Sequence, residues 1–402
     1  MSTHRGRTIR RSFTLTELLV VIMVISILAS SMLFAMYGAV QQAKESRTRA
    51  QIARLHELLA SRWDSYRTRP LRFQIDATNS QVQQLARAAL RRDARATSII
   101  RLTLLRDLMR MEMPDRAADI VDAPVKIPYS FVDAQGTSYT VLVHIARPAL
   151  SRQYERVASA STWLGPNKVN HQDAECLYMI IAAMRDLTTN GLDFLQEGEI
   201  GDTDDDGMPE ILDAWGNPIA FLRWPAGFVV HPGKNLEWGV DGLDDDANGT
   251  VDDFAEAGWW GTDDIPNYSN LQQIRLDPND LSRVAADVRD PFDPMRVDNR
   301  ASVSMFTQPS TSTSQYYFNF FMYPLVFSAG PDELLDIVRF DFDPNNPSTL
   351  VSFDFYRTGT NPNGGWMNDP YSVMPTSKRR LGEPFIDSVG YKDNITNHNL
   401  GD

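Results

Sequence analysis

The sequence predicts an α+β protein in which one long N-terminal transmembrane and stalk helix packs on a globular head with a small antiparallel sheet and acidic loops. Three observations carry this expectation. Residues 18–43 hold no charged side chain, and a stripe of apolar residues at spacings of three and four follows them. Downstream, helical periods alternate with strand-like alternation and Asp/Gly-rich turns. The chain has 402 residues, 43% hydrophobic and 23% charged, which is an ordinary globular composition and long enough for two domains or for one with a large insertion.

The elements in order are a basic leader at 1–12, a transmembrane half-helix at 13–43 and a stalk half-helix at 44–70. A helical and β head region with a first acidic loop follows at 71–224, then an inserted acidic region at 225–315 and a C-terminal β segment with an irregular tail at 316–402. The leader carries Arg5, Arg7, Arg10 and Arg11 and no acid. The uncharged run behind it exceeds the roughly 20 residues a helix needs to cross the hydrocarbon core. A secretory signal has a shorter apolar region with a small-residue cleavage site beyond it. A buried core helix is rarely apolar on every face. An ordinary anchor and a processed filament segment remain, and Glu17 separates them, because an acid at the start of an uncharged span is costly in lipid and is kept for a function.

In the stalk, Ile52, Leu55, Leu59, Trp63 and Tyr66 form one face of a helix that runs towards Pro70. Residues 82–111 read as one or two further helices, with Leu85, Ala89, Ile99, Leu102, Leu105 and Leu108 among arginines. That basic face is expected to be solvated or to face another subunit. Tyr129 to Ala146 contains a hairpin turning at Gln135-Gly136, and residues 173–187 form another helix. Cys176 is the sole cysteine, so no disulfide forms within the chain, and its apolar neighbours make it a core thiol. The net charge of −13 argues against a nucleic-acid partner, and no aromatic residues interleave the arginines to stack bases.

The loop at 201–213 places oxygen-bearing residues at regular steps. With Asp202 at position 1, Asp204 and Asp206 fall at 3 and 5, Gly207 supplies the sharp turn, Met208 offers its carbonyl at 7, and Glu210 and Asp213 fall at 9 and 12. Hard oxygen donors at these steps suit calcium, although the usual bidentate Glu at position 12 is replaced by Asp213. A second acidic segment repeats the step with Asp244, Asp246, Asn248 and Asp252. For both, an Asp/Asn/Gly turn that needs no metal is the alternative. His171, Asp173 and Glu175 form the nearest other metal-like cluster and are expected to cap a helix. Gly258-Trp-Trp-Gly261 in the insertion reads as packing onto the sheet, or else as an exposed binding surface. No zinc helix, Walker loop or nucleophile elbow occurs, and the six histidines are scattered, so no enzyme is expected.

Ser12 followed by Phe13-Thr14-Leu15-Thr16-Glu17 and the apolar run resembles the prepilin-type cleavage and methylation family. The resemblance implies that a prepilin peptidase cuts between Ser12 and Phe13 and methylates the Phe13 amine. The family normally has glycine where Ser12 stands. It further implies that Glu17 meets the Phe13 amine of a neighbouring subunit in a low-dielectric layer, setting assembly register. The turn at Asp213-Ala-Trp-Gly-Asn-Pro and the segment Ser328-Ala-Gly-Pro-Asp332 with Asp336-Ile337 resemble head segments of the major type II secretion pseudopilin. Ala214 replaces the proline of that family's turn, and the spacing after Asp332 is shorter. Carried over, Asp332 and Asp336 become calcium ligands.

These resemblances imply a pseudopilin-like subunit of the bacterial inner membrane, single-pass, with a cytoplasmic N-terminus and a periplasmic head. Its partners would be the peptidase, other pilin-like subunits, the membrane and an inner-membrane assembly platform. A type IV minor pilin and a stand-alone, membrane-anchored calcium-binding domain are the alternatives.

Overall fold

The computed structural model describes residues 15–161, 171–185, 190–225, 228, 290–295, 297, 322–335, 337–339, 341–343, 346–351, 370, 381–382 and 394–398. Helix α1 spans Leu15–Ser65 without a break. It contains no proline, and its only glycine, Gly38, faces open space. The chain divides into two compact units, Met1–Arg47 and Thr48–Asp402.

In the first unit the helix presents its apolar side chains outward on every face, including Leu18, Ile22, Ile25, Leu28, Met32 and Phe34. Three serines in this segment return their hydroxyls to the helix backbone. Ser26 donates to the Ile22 carbonyl (2.8 Å), Ser30 to Ile27 (2.8 Å) and Ser31 to Leu28 (2.9 Å), which satisfies each hydroxyl inside an apolar surround.

The second unit opens with the predicted stripe. Ile52, Leu55, Leu59, Trp63 and Tyr66 are all buried. The edge of the Phe292 ring meets the Trp63 ring at 5.2 Å between centroids. Helices α2, Ser80–Arg92, and α3, Ala94–Glu112, are two rather than one, because Asp93 both stops α2 and starts α3. Its carboxylate accepts from the Ala96 N–H (2.9 Å), as Asn79 accepts from Val82 (2.9 Å) at the start of α2.

The predicted hairpin forms as β2, Ile127–Val132, and β3, Ser138–His144, with β1, Gln74–Asp76, on the other side of β3. Asp133 closes the turn by accepting from Gln135 (2.9 Å) and Thr137 (2.8 Å). Gly136 takes the left-handed conformation (φ 85°) that the turn requires. The buried side of the sheet carries stacked Tyr129, Phe131 and Tyr139 rings.

Helices α4, Ala117–Val121, and α5, Ala149–Ala158, precede α6, Gln172–Ala183, which packs against β5, Glu210–Ile211, and β6, Ala220–Leu222. Strand β5 pairs with β4, Ile200–Gly201. Strand β7, Leu325–Ser328, pairs with β6. Strands β8, Asp341–Asp343, and β9, Asn346–Val351, pair with each other.

The tail, read from sequence as irregular, adds β10, Ile395–Thr396, antiparallel to β7. Two residues carry too little pattern to show as a strand. Asn397 fixes them, accepting from the Val326 N–H (2.8 Å) and donating to the Pro324 carbonyl (2.9 Å).

One part of the basic surface is not a surface. Arg106 and Arg110 are buried, against Asp290 (3.2 Å) and Asp107 (2.9 Å). Arg223 is also buried and reaches Asp119 (2.9 Å), while Arg116 meets Asp115 (3.0 Å). Burial alone would raise the Asp115 carboxyl, but the guanidiniums of Arg116 and Arg223 outweigh it and bring it down to about 2.

Candidate functional site

Two places hold the residues singled out from sequence: the acidic loop of the head and the start of α1. The loop joins β4 to β5, so a two-stranded ladder brings its ends together. Asp205 (φ 54°) and Gly207 (φ 89°) turn the chain sharply between them. Asp202 accepts from the N–H groups of Asp206 (3.2 Å) and Gly207 (2.9 Å), and Asp206 accepts from Met208 (2.8 Å). Glu210 is held by the Thr203 N–H (2.9 Å) and hydroxyl (3.1 Å). Asp202, Asp206 and Glu210 are thus held in part by the loop's own backbone N–H groups.

Within this loop, ligand oxygens of Asp202, Asp204 and Asp206 lie within 4.8 Å of one another. Oxygens of Glu175, Asp204 and Glu210 form a second group of the same size, sharing Asp204. Glu175 enters from α6 and is fully buried, as is Glu210, whereas Asp202 is exposed. Burial first, then the charges of Asp206, Asp204, Glu210 and Asp173, push the Glu175 carboxyl up to about 10. Burial also raises Glu210, to about 7, against the lowering effect of its bonds to Thr203 and with the help of Asp204 and Asp202. Five carboxylates so placed offer hard oxygen donors of the kind a divalent cation such as calcium takes.

The sequence-derived ligand set is thus partly regrouped. Asp202, Asp204, Asp206 and Glu210 come together, and Met208 is buried beside them with its N–H bonded to Asp206. Asp213 is in neither group. One of its oxygens accepts from the N–H groups of Trp215 (2.8 Å) and Asn217 (2.9 Å), and the other from the Ser328 hydroxyl (2.6 Å). It organises the turn that carries Gly216 at φ 95° and ties it to β7.

Asp332 is exposed in a short 3-10 turn, Gly330–Asp332, and accepts from Leu334 (2.9 Å). Asp336, Asp244, Asp246, Asn248 and Asp252 lie outside the described residues, as does the Gly258-Trp-Trp-Gly261 run. Of the cluster read as a helix cap, His171 holds the cap position without a side-chain bond, and Asp173 is bound by Arg339 (2.9 Å). Glu175 is the acid of these groups that the loop spacing left out. Its signal in the sequence was an acid in the apolar run that follows it, on a helix otherwise turned to the core.

At the start of α1, Glu17 is the third residue of the helix, while Ser12 and Phe13 lie outside the described residues. The prokaryotic N-terminal methylation motif matches residues 7–33. The N-terminal segment is of the prepilin type. No curated protein and no solved structure matches it. The match ends at residue 33, so it assigns the N-terminal segment and not the head. A prepilin-type N-terminus implies processing by a prepilin peptidase and assembly with other pilin-like subunits in a membrane. The apolar helix is long enough to cross one, and its spanning window is wholly uncovered within the chain, which suits membrane anchoring.

Proposed function

We propose that this protein, with its prepilin-type N-terminus, is a structural, non-enzymatic subunit of a type II secretion pseudopilus. In this reading it is anchored in the bacterial inner membrane with its N-terminus cytoplasmic and its head periplasmic. A prepilin peptidase removes residues 1–12 and methylates Phe13, and the subunit then enters the filament through an inner-membrane assembly platform. Glu17 pairs with the Phe13 amine of a neighbour, because an unpaired charge in that low-dielectric layer is expensive.

The observation that carries the type II reading is the hydrogen bond from Ser328 to Asp213 (2.6 Å), buried between β7 and the turn before β6. It joins the two segments that resemble the major pseudopilin head. The test is deletion of the coding sequence in the producing bacterium. Retention of normally secreted enzymes in the periplasm with surface pili intact supports the proposal. Lost pili with intact secretion would instead make the protein a type IV minor pilin.

In the same reading the head binds calcium at the first acidic loop, through Asp202, Asp204, Asp206 and Glu210, with Glu175 added from α6. What supports this is the donor set: five carboxylates in two groups sharing Asp204, the oxygens of each group lying within 4.8 Å of one another. The ion's role there is structural, offsetting repulsion among the carboxylates and fixing the loop between β4 and β5. Ligation by the second acidic segment and by Asp332 and Asp336 is a separate proposal that rests on their sequence pattern.

A further inference from the structure

Residues 87–95 place Arg87, Arg91, Arg92 and Arg95 around a single acid, Asp93. All four arginines are exposed, at the corner where α2 gives way to α3. The reason they are outside is local. Val82, Ala86 and Leu90 form the buried face of α2, which leaves Arg87 and Arg91, one turn apart, on the outer face. Asp93 offers them little neutralisation, because its carboxylate caps α3 through the Ala96 N–H.

The surrounding arginines are treated differently by the fold. Arg54 reaches Glu199, Arg62 and Arg69 share Glu112, Arg106 has Asp290 and Arg110 has Asp107. Among the described residues no ion pair reaches Arg87, Arg91, Arg92 or Arg95. The helix dipole accounts for Arg91 and Arg92, which lie in the last turn of α2. It does not account for Arg95, which sits in the first turn of α3 where a positive charge is disfavoured and no acid is present.

The same chain carries the complement. Residues 241–264 contain nine Asp or Glu and no Lys or Arg. The arginine corner is exposed, so it is open to a partner of opposite charge. The overall charge of −13 and the absence of aromatic residues among the arginines disfavour a nucleic acid.

We propose that the α2–α3 arginine corner is a docking surface for the acidic 241–264 segment of a neighbouring copy of this chain. The proposal rests on the reading of the protein as a filament subunit. Such a contact would steer copies together and set their register, and it would weaken with salt.

The test uses two differently tagged full-length copies expressed together in the producing bacterium. With Arg91→Cys in one copy and Asp245→Cys in the other, oxidation should give a disulfide-linked dimer; the natural Cys176 is buried and does not compete. Arg87→Glu, Arg91→Glu and Arg95→Glu together should lower co-isolation of the two copies about tenfold, the size expected for reversing a steering patch. Asp245→Lys, Asp253→Lys and Glu256→Lys in the partner copy, none of them a proposed ligand of the second acidic segment, should restore it. Co-isolation of the arginine variant at the wild-type level, or a loss the reversed partner does not restore, overturns this docking surface alone. So does a disulfide formed only within one chain when both cysteines are placed together. If wild-type copies do not co-isolate at all, the filament reading falls with it.

Discussion

Glu112 is where the end of the stalk is fastened to the head, and removing it gives a measurable loss. The carboxylate is buried at the end of α3 and accepts both terminal nitrogens of Arg69 (2.6 and 2.7 Å), one of Arg62 (3.3 Å) and the hydroxyl of Tyr66 (3.0 Å). All three donors come from the last turns of α1 or the residues just beyond it. Glu112→Ala strands the Tyr66 hydroxyl and the Arg62 guanidinium in a buried site, whereas Arg69, 37% exposed, regains water. Breaking a buried pair by deleting one partner costs about 3–5 kcal/mol, and the exposure of Arg69 trims this to roughly 2–4 kcal/mol. In a folded unit of this size each kcal/mol moves the midpoint by about 2–4 °C, so Tm should fall by roughly 5–12 °C. The assay is thermal unfolding of the full chain in detergent followed by circular dichroism. Glu57→Ala, at an exposed position on the same helix, is the control and should change Tm by about 1–2 °C at most. A Glu112→Ala midpoint indistinguishable from that of Glu57→Ala would refute the reasoning.

Three further outcomes are expected. If the acidic loop binds calcium with a dissociation constant near 10⁻⁴ M, about 5 mM calcium stabilises the chain by about 2 kcal/mol and raises Tm by roughly 4–8 °C. Chelation should reverse the rise and Glu175→Ala should abolish it; an unchanged midpoint in both calcium and chelator removes the proposal. Asp115 lies below the ordinary value of 3.8 in the folded chain, at about 2, so the stability it contributes is complete above about pH 4 and is lost as pH falls through about 2. Asp115→Asn should therefore flatten the acid limb of a Tm-versus-pH curve between those limits, and an unaltered slope would contradict the assignment. At Gly191 a Cβ would stand 2.1 Å from the Ile181 carbonyl oxygen, so Gly191→Ala must shift backbone and should lower Tm by several degrees in the same unfolding assay.

What the sequence made legible follows period and punctuation. The stalk stripe from Ile52 to Tyr66 was readable because a surface helix repeats its buried residues every three or four positions, and each of those residues is buried. The β2–β3 hairpin was readable from alternation and from the glycine at its turn. The helix expected over 173–187 ends instead at Ala183, with Met184 in an extended cap.

Tertiary relations were not readable. An arginine at 106 or 110 looks like any other in a basic helix, and only the arrival of Asp290 and Asp107 shows that it is interior. The spacing put Asp202, Asp204, Asp206, Glu210 and Asp213 in one set, and the structure gathers the first four in two groups that share Asp204 but leaves Asp213 outside both. That residue is engaged by Ser328, more than a hundred positions away, and Glu175 approaches from a separate helix. Spacing in sequence predicts side chains that share a loop. It carries no information about a side chain delivered by another element.

The central claim is that residues 1–12 are a leader and that the mature chain begins as a filament subunit. Intact-mass and N-terminal peptide mass spectrometry of the protein isolated from its own membranes tests it most directly. The account predicts a chain starting at Phe13 with one methyl group on its amine, and loss of that product in cells lacking the prepilin peptidase. A chain that retains Met1 and the arginines of the leader, or one cut beyond the apolar helix near Ala39, would contradict it.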